Sequence, residues 1–211
     1  MPCCCVGWTK QTPLWHANGT TLNLFTEFGV SQETEVDFDL DNATPAAGAL
    51  RKKCAGVIRQ VAGILEGVPF SGLHAFCGDA FFDDLISHSE VRETFLQQQE
   101  ASQLRQGYVA GGQSYGAFAF GGIMWENYRG AVGGTSFVNT DKCHIFPVGV
   151  PGLFRTYYAP ADYKETVNTI GRRLYTKQYD MPNGKGVHLD TQMNALNICT
   201  RPKALIQGRR T

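Results

Sequence analysis

His74 and Cys77 lie three residues apart in the stretch FSGLHAFCG, and a thiol beside an imidazole is what a cysteine-dependent hydrolase uses. The stretch reads as a short buried strand, where a spacing of three sends the two side chains to opposite faces. A cysteine nucleophile also needs a base within hydrogen-bond reach and a third group to orient it. Cys77 is therefore expected to be a buried thiol, and a small hydrolase using Cys77 with His74 or His144 stands as the enzyme alternative. Asp37, Asp39 and Asp41 alternate along a second strand, as a solvated face does, and no calcium-loop pattern surrounds them. Asp79 reads as a helix cap, and Asp83 and Asp84 are neighbours on that helix, which separates their carboxylates. The five histidines supply no H-E-x-x-H pair, and the glycines between Gly107 and Gly122 supply neither phosphate-loop nor dinucleotide spacing. No catalytic, cofactor-binding or metal-binding residue is assigned, and no cofactor is expected.

With 211 residues, 43% apolar and 18% charged, the chain is long enough for one domain with appendages and can bury a core. Lys plus Arg and Asp plus Glu balance at 19 each, whereas a protein that coats nucleic acid carries a surplus of cations. No run approaches eighteen apolar residues, so no membrane span is expected, and MPCCCVGWTKQT lacks the pattern of a secretory signal. Seven cysteines, three of them adjacent (Cys3, Cys4 and Cys5) and none in a C-x-x-C pair, fit reduced thiols in a cytoplasm.

The elements that must position these residues follow from pattern. HANGTTLNLF and ETEVDFDLD read as strands, with a turn at Asn18-Gly19 and Val36, Phe38 and Leu40 facing inward. A helix follows, with Thr44 at its cap, Pro45 at its first position and Gly67 past its end. Its stripe is Leu50, Cys54, Val57, Ile58, Val61, Ile64 and Leu65. Two shorter helices are expected from Asp79 and from Ser89, the second turning Val91, Phe95 and Leu96 inward. AFAFGGIMWENYRG reads as a hairpin about Gly121-Gly122, with Phe118, Phe120, Ile123 and Trp125 alternating. Short strands dominate from Lys142 onward, among them CHIFPVG, RRLYTKQYD, GVHLDTQMNAL after the turn MPNGKG, and KALIQG. Helix and strand in this order indicate an α+β or α/β layer with helices on a sheet, of which α+β is the expected class.

FRTYYAPADYKETVNTIGRRLY, from Phe154 to Tyr175, carries four tyrosines and three arginines without a helix or strand period. Tyrosine and arginine among loop glycines are the composition of contact surfaces, which need rigid area and adaptable hydrogen bonds.

Four collinear stretches, FCGDAFFDDLISHSEVRETF, FGGIMWENYRG, HIFPVGVPGLFRTYYAPADYKETVNTIG and TQMNALNICTRPKALI, resemble successive motifs of the tailed-phage major capsid protein E family, the lambda-type coat proteins. The resemblance runs from Trp15 to Ile206 and implies the tailed-phage capsid fold: mainly the axial domain, a sheet flanked by helices, with part of the peripheral domain. On this basis residues 1–12 are a disordered leader, 13–41 a hairpin at the junction of the two domains, 42–199 the axial domain and 200–211 a C-terminal strand and tail. The N-terminal arm, extended loop and spine helix of the family have no counterpart in the sequence. The resemblance further implies a coat subunit that assembles with copies of itself into hexamers and pentamers around DNA. It would be made in the bacterial host cytoplasm and reside in the virion. Scaffold, portal or decoration proteins are the further partners implied, with weak, sequence-independent contact to packaged DNA and none to a membrane. A bacterial nanocompartment shell of the same fold is the alternative within the structural class. Arg155, Tyr157, Tyr158, Asp162 and Tyr163, with Trp125 and Tyr128, are expected at contacts between subunits.

Overall fold

In the computed structural model, the structure describes residues 14–15, 21–22, 24–42, 44–97, 116–132 and 135–211. The expected leader, the Asn18-Gly19 turn, most of the glycine-rich stretch before Gly116 and the Phe95 and Leu96 side chains lie outside them. In chain order the first elements are β1 (Leu14–Trp15), β2 (Thr21–Leu22), α1 (Leu24–Glu27), β3 (Val36–Asp37), α2 (Ala49–Leu65), β4 (Gly72–Cys77), α3 (Asp79–Ser87) and α4 (Ser89–Gln97). Then come β5 (Ala117–Phe120), β6 (Ile123–Asn127), β7 (Ala131–Val132), β8 (Thr135–Ser136), β9 (Lys142–Val148) and β10 (Phe154–Tyr158). The chain finishes with β11 (Tyr175–Asp180), β12 (Val187–Gln192), β13 (Ala195–Cys199) and β14 (Ile206–Arg209).

Two compact units result: one is the chain up to Pro151 together with Arg201–Thr211, the other Gly152–Thr200. The first is built on a six-stranded mixed sheet of order β3-β14-β9-β4-β6-β5. Along β4 the side chains alternate strictly: Leu73, Ala75 and Cys77 are buried, while His74 and Phe76 stand on the other face. The buried face meets the apolar stripe of α2 (Leu50, Cys54, Val57, Val61 and Leu65) and Phe81, Phe82 and Leu85 of α3. Each such aliphatic or aromatic side chain contributes about 1.5–3 kcal/mol by leaving water. Pro147 sits inside β9 opposite Leu73, yet β14 already ends at Ile206, opposite Ile145, so no ladder bond is lost. This is the α+β arrangement read from the sequence.

Several local expectations change. Helix α2 starts at Ala49, not Pro45, because Gly48 takes the left-handed conformation (φ 77°) at its N-cap and supplies no side-chain acceptor. The Glu90 carboxylate, from α4, accepts from Leu50 N–H (3.1 Å) and Arg51 N–H (3.3 Å) instead. Asp79 does not cap α3; Gly78 holds that position, and Asp79 pairs with Arg129 at 2.8 Å. The strand around Asp37 is two residues long. Asp39 has φ 53°, although Phe38 and Leu40 beyond it still donate to the carbonyls of Arg209 and Arg210. Asp37 itself pairs with Arg209 at 2.9 Å, the ordinary partner of a surface carboxylate.

Candidate subunit-contact surface

The unit Gly152–Thr200 has two antiparallel ribbons. In one, β10 pairs with β13 from Phe154↔Cys199 to Tyr158↔Ala195; in the other, β11 pairs with β12 from Tyr175↔Gln192 to Asp180↔Val187. The expected turn MPNGKG closes the second ribbon, with Met181 N–H donating to Gly186 O and Gly184 at φ 61°. Between the ribbons the chain makes a short 3-10 turn, Lys164–Thr166, and a loop to Leu174.

The structure separates the expected contact residues into three groups. Arg155 and Tyr157 are exposed on β10, Tyr157 by 51%, and are free to meet a neighbour. Tyr158, at the end of β10, is half-buried, and Asp162 and Tyr163 make contacts within the unit. Gly171 packs on the Tyr158 carbonyl so closely that a Cβ there would collide with it. Asp162 N–H donates to Gln192 Oε1 at 3.1 Å and its carboxylate accepts from Gln192 Nε2 at 3.2 Å. The Tyr163 ring lies under Lys177 Nζ, 5.3 Å from its centroid, and Lys177 reaches both oxygens of Glu165 at 2.8 and 2.9 Å. These contacts brace one face of the β11–β12 ribbon.

The third group belongs to the sheet unit. Trp125 is enclosed in the core, edge-on to Phe38 (5.5 Å), stacked on Phe81 (5.9 Å) and donating from its indole N–H to Phe120 O at 3.1 Å. It has no surface to offer another subunit, which corrects the expectation for that residue. The reason was visible: Trp125 falls on the same alternation as Phe118 and Phe120, and register pairs it with Phe118. Tyr128 is half-buried, stacked on Phe76 at 4.8 Å.

The same sheet disposes of the thiol chemistry. Cys77 and Cys143 are register partners on the helix-covered face; His74 and His144, paired with Phe146 and Phe76, occupy the other. His74 is held 2.8 Å from Glu126 there. Burial, then the hydrogen-bonded neighbour Cys143, push the Cys77 thiol well above its usual range. We expect native Cys77 to resist iodoacetamide at neutral pH over hours and to react fully once unfolded; fast native alkylation of this residue, mapped by mass spectrometry, would revive the hydrolase alternative. Among the described residues no three His, Cys, Asp or Glu side chains are grouped as metal ligands, and no helix is long and apolar enough to cross a membrane.

Sequence reasoning passed over Ile170, Leu174, Val187 and Leu189, apolar residues ordinarily assigned to a core. All four are exposed, Ile170 by 92%. Nine of the twelve large apolar side chains exposed among the described residues lie in Gly152–Thr200. The exposed apolar side chains of the described residues are thus concentrated on the smaller unit.

Residues 8–210 match the family model described as phage major capsid protein E. The chain is 30% identical over 202 residues to the major capsid protein of Pseudomonas phage KPP10, a match covering 90% of this chain and 56% of that one. It is 26% identical over 219 residues to the major capsid protein of Salmonella phage Felix O1 (isolate Felix O1-VT1), covering 92% and 59%. The chain thus spans less than two thirds of the length of these relatives. A solved structure assigned as a prophage capsid protein of E. coli CFT073 aligns over 85% of this chain and 49% of its own, with a TM-score of 0.48 and 14% identity.

Proposed function

Because the chain belongs to the phage major capsid protein E family, we propose that it is coat-forming sequence whose ligand is further copies of itself. The observation that carries this is the family match from residue 8 to residue 210, nearly the whole chain. Hexamers and pentamers tiling an icosahedral shell around DNA are the assembly we assign to it. The role is structural rather than catalytic, and the virion is its place of residence. We assign the six-stranded sheet with its helices to the axial domain and the ribbons of Gly152–Thr200 to the peripheral one. This moves the sequence-based boundary at residue 199 back to Pro151. Pro151-Gly152 and Pro202 bracket the excursion, and β14 returns to the sheet beside β9. We assign to contacts between copies the exposed Arg155 and Tyr157 of β10, with the half-buried Tyr158 and Tyr128 beside them in this assignment.

Light scattering on a size-exclusion column, with negative-stain images of the heavy fraction, tests the reading. Rings of five or six copies, or shells, are the expected result, and Tyr157→Ala should weaken association about tenfold, as loss of an aromatic anchor does. A chain that stays monomeric from micromolar to millimolar concentration overturns self-assembly by these residues.

A further inference from the structure

The β11–β12 ribbon has two unlike faces. On one face Tyr175, Lys177 and Gln192 are half-buried against the chain's own segment 161–172, which braces them through Ile170 O, Glu165, the Tyr163 ring and Asp162, while Tyr179 stacks on His188 further along. The opposite face, Thr176, Gln178, Asp180, Val187, Leu189 and Thr191, is exposed at every position, Leu189 by 68%. A two-stranded ribbon is marginal in water unless something packs on it. Here the packing comes from one side only.

Beside the braced face stands a loop fixed in an unusual way. Arg172 N–H donates to the Tyr175 hydroxyl at 2.9 Å, and that hydroxyl donates to Ile170 O at 3.3 Å. Gly171 between them is seated on the Tyr158 carbonyl, and the Thr169 hydroxyl donates to Thr166 O at 2.7 Å. The loop is thus held at several points while Val167, Ile170 and Leu174 face solvent, flanked by exposed Arg172 and Arg173. A mobile loop loses side-chain entropy when a partner orders it, and prior fixing removes that cost. A clamped loop that presents an isoleucine in full has the form of an anchor.

Knob and seat also match in chemistry: on one, exposed Arg172 and Arg173 lie between Ile170 and Leu174; on the other, Val187 and Leu189 lie beside Asp180, the register partner of Val187. They lie on opposite sides of the same ribbon, so one twofold pair cannot satisfy both. We propose that loop 167–174 of one copy docks on the exposed face of the β11–β12 ribbon of a second copy, a head-to-tail contact that repeats from chain to chain. This inference rests on the self-assembly reading above and names its interface.

The test uses the whole chain and two variants. Ile170→Asp loses the knob and keeps the seat; Leu189→Asp loses the seat and keeps the knob. Both positions are exposed, so each variant should keep the parent's circular dichroism and unfolding midpoint. In sedimentation velocity each alone should associate at least about tenfold more weakly than the parent. Mixed in equal amounts they should form a one-to-one pair and nothing larger, because one intact knob meets one intact seat. The charge reversals Arg173→Glu and Asp180→Lys give a second route: each weakens association, and the two in one chain restore it. Variants that assemble like the parent, or a mixture that stays monomeric, overturn this contact while leaving self-assembly intact. A parent chain that never associates sinks both.

Discussion

Trp125→Ala is expected to cost about 3–5 kcal/mol of stability, as loss of a large core aromatic does. The indole fills the space where β6 meets Phe38 and Phe81, and every part of it is out of water. Alanine would leave a cavity bounded by the backbones of β4 and β6, which the sheet's own hydrogen bonds prevent from collapsing. The Phe120 carbonyl would also lose the indole N–H that now reaches it at 3.1 Å. Trp125→Phe separates the two effects: most ring contact remains, the donor is gone, and a loss of about 1–3 kcal/mol is expected from the buried carbonyl alone. Urea unfolding of the three proteins checks this. A loss below about 1 kcal/mol for the alanine variant would mean that the indole is not a core element. The expectation also bears on assembly. A Trp125 variant that fails to assemble will have failed through folding, and its defect should disappear at lower temperature, unlike that of an interface variant.

What the sequence made legible follows the range of the interactions involved. The α2 stripe and the β5–β6 hairpin depend on neighbours a few residues away, so period and the Gly121-Gly122 turn sufficed to place them. The start of α2 did not, because its cap is Glu90, some forty residues downstream, and a local rule selects Thr44 in its absence. Trp125 was misplaced for another reason. Aromatic residues near a polar motif suggest contact surface, and that composition outweighed the alternation that already put the indole inward. The clamped loop is the hardest feature to read. Ile170 is apolar and sits in a stretch without period, and only the Tyr175 hydroxyl and the fit of Gly171 on Tyr158 turn it outward. The division at Pro151 was equally hidden, since the chain leaves the sheet after β9 and rejoins it as β14, and the segment Gly152–Thr200 between them packs on itself.

Acid should weaken the sheet unit through His144 before most carboxylates titrate. This imidazole is buried on the sheet face away from α2, in register with Phe76 on one side and Gln207 on the other. Burial, then the nearby Lys142 charge, push its pKa down from 6.5 to about 4; Glu35, paired with Lys142 at 2.9 Å, opposes them without prevailing. The folded state therefore binds the proton less readily than the unfolded chain does. The stability at stake is fully present above pH 6.5 and is lost as pH falls toward 4, with the slope set by one proton. Between pH 7 and pH 5 the loss amounts to about 2 kcal/mol, since each unit of displacement is worth about 1.4 kcal/mol. His144→Gln should flatten this part of the profile while leaving the steeper fall below pH 4 in place. Urea unfolding free energies of parent and variant at pH 7, 6 and 5 decide the matter. Parallel profiles would mean that His144 takes up its proton without unfolding. In that case its folded-state pKa would stay near the ordinary 6.5, and His144 would contribute nothing to the acid sensitivity of the sheet unit.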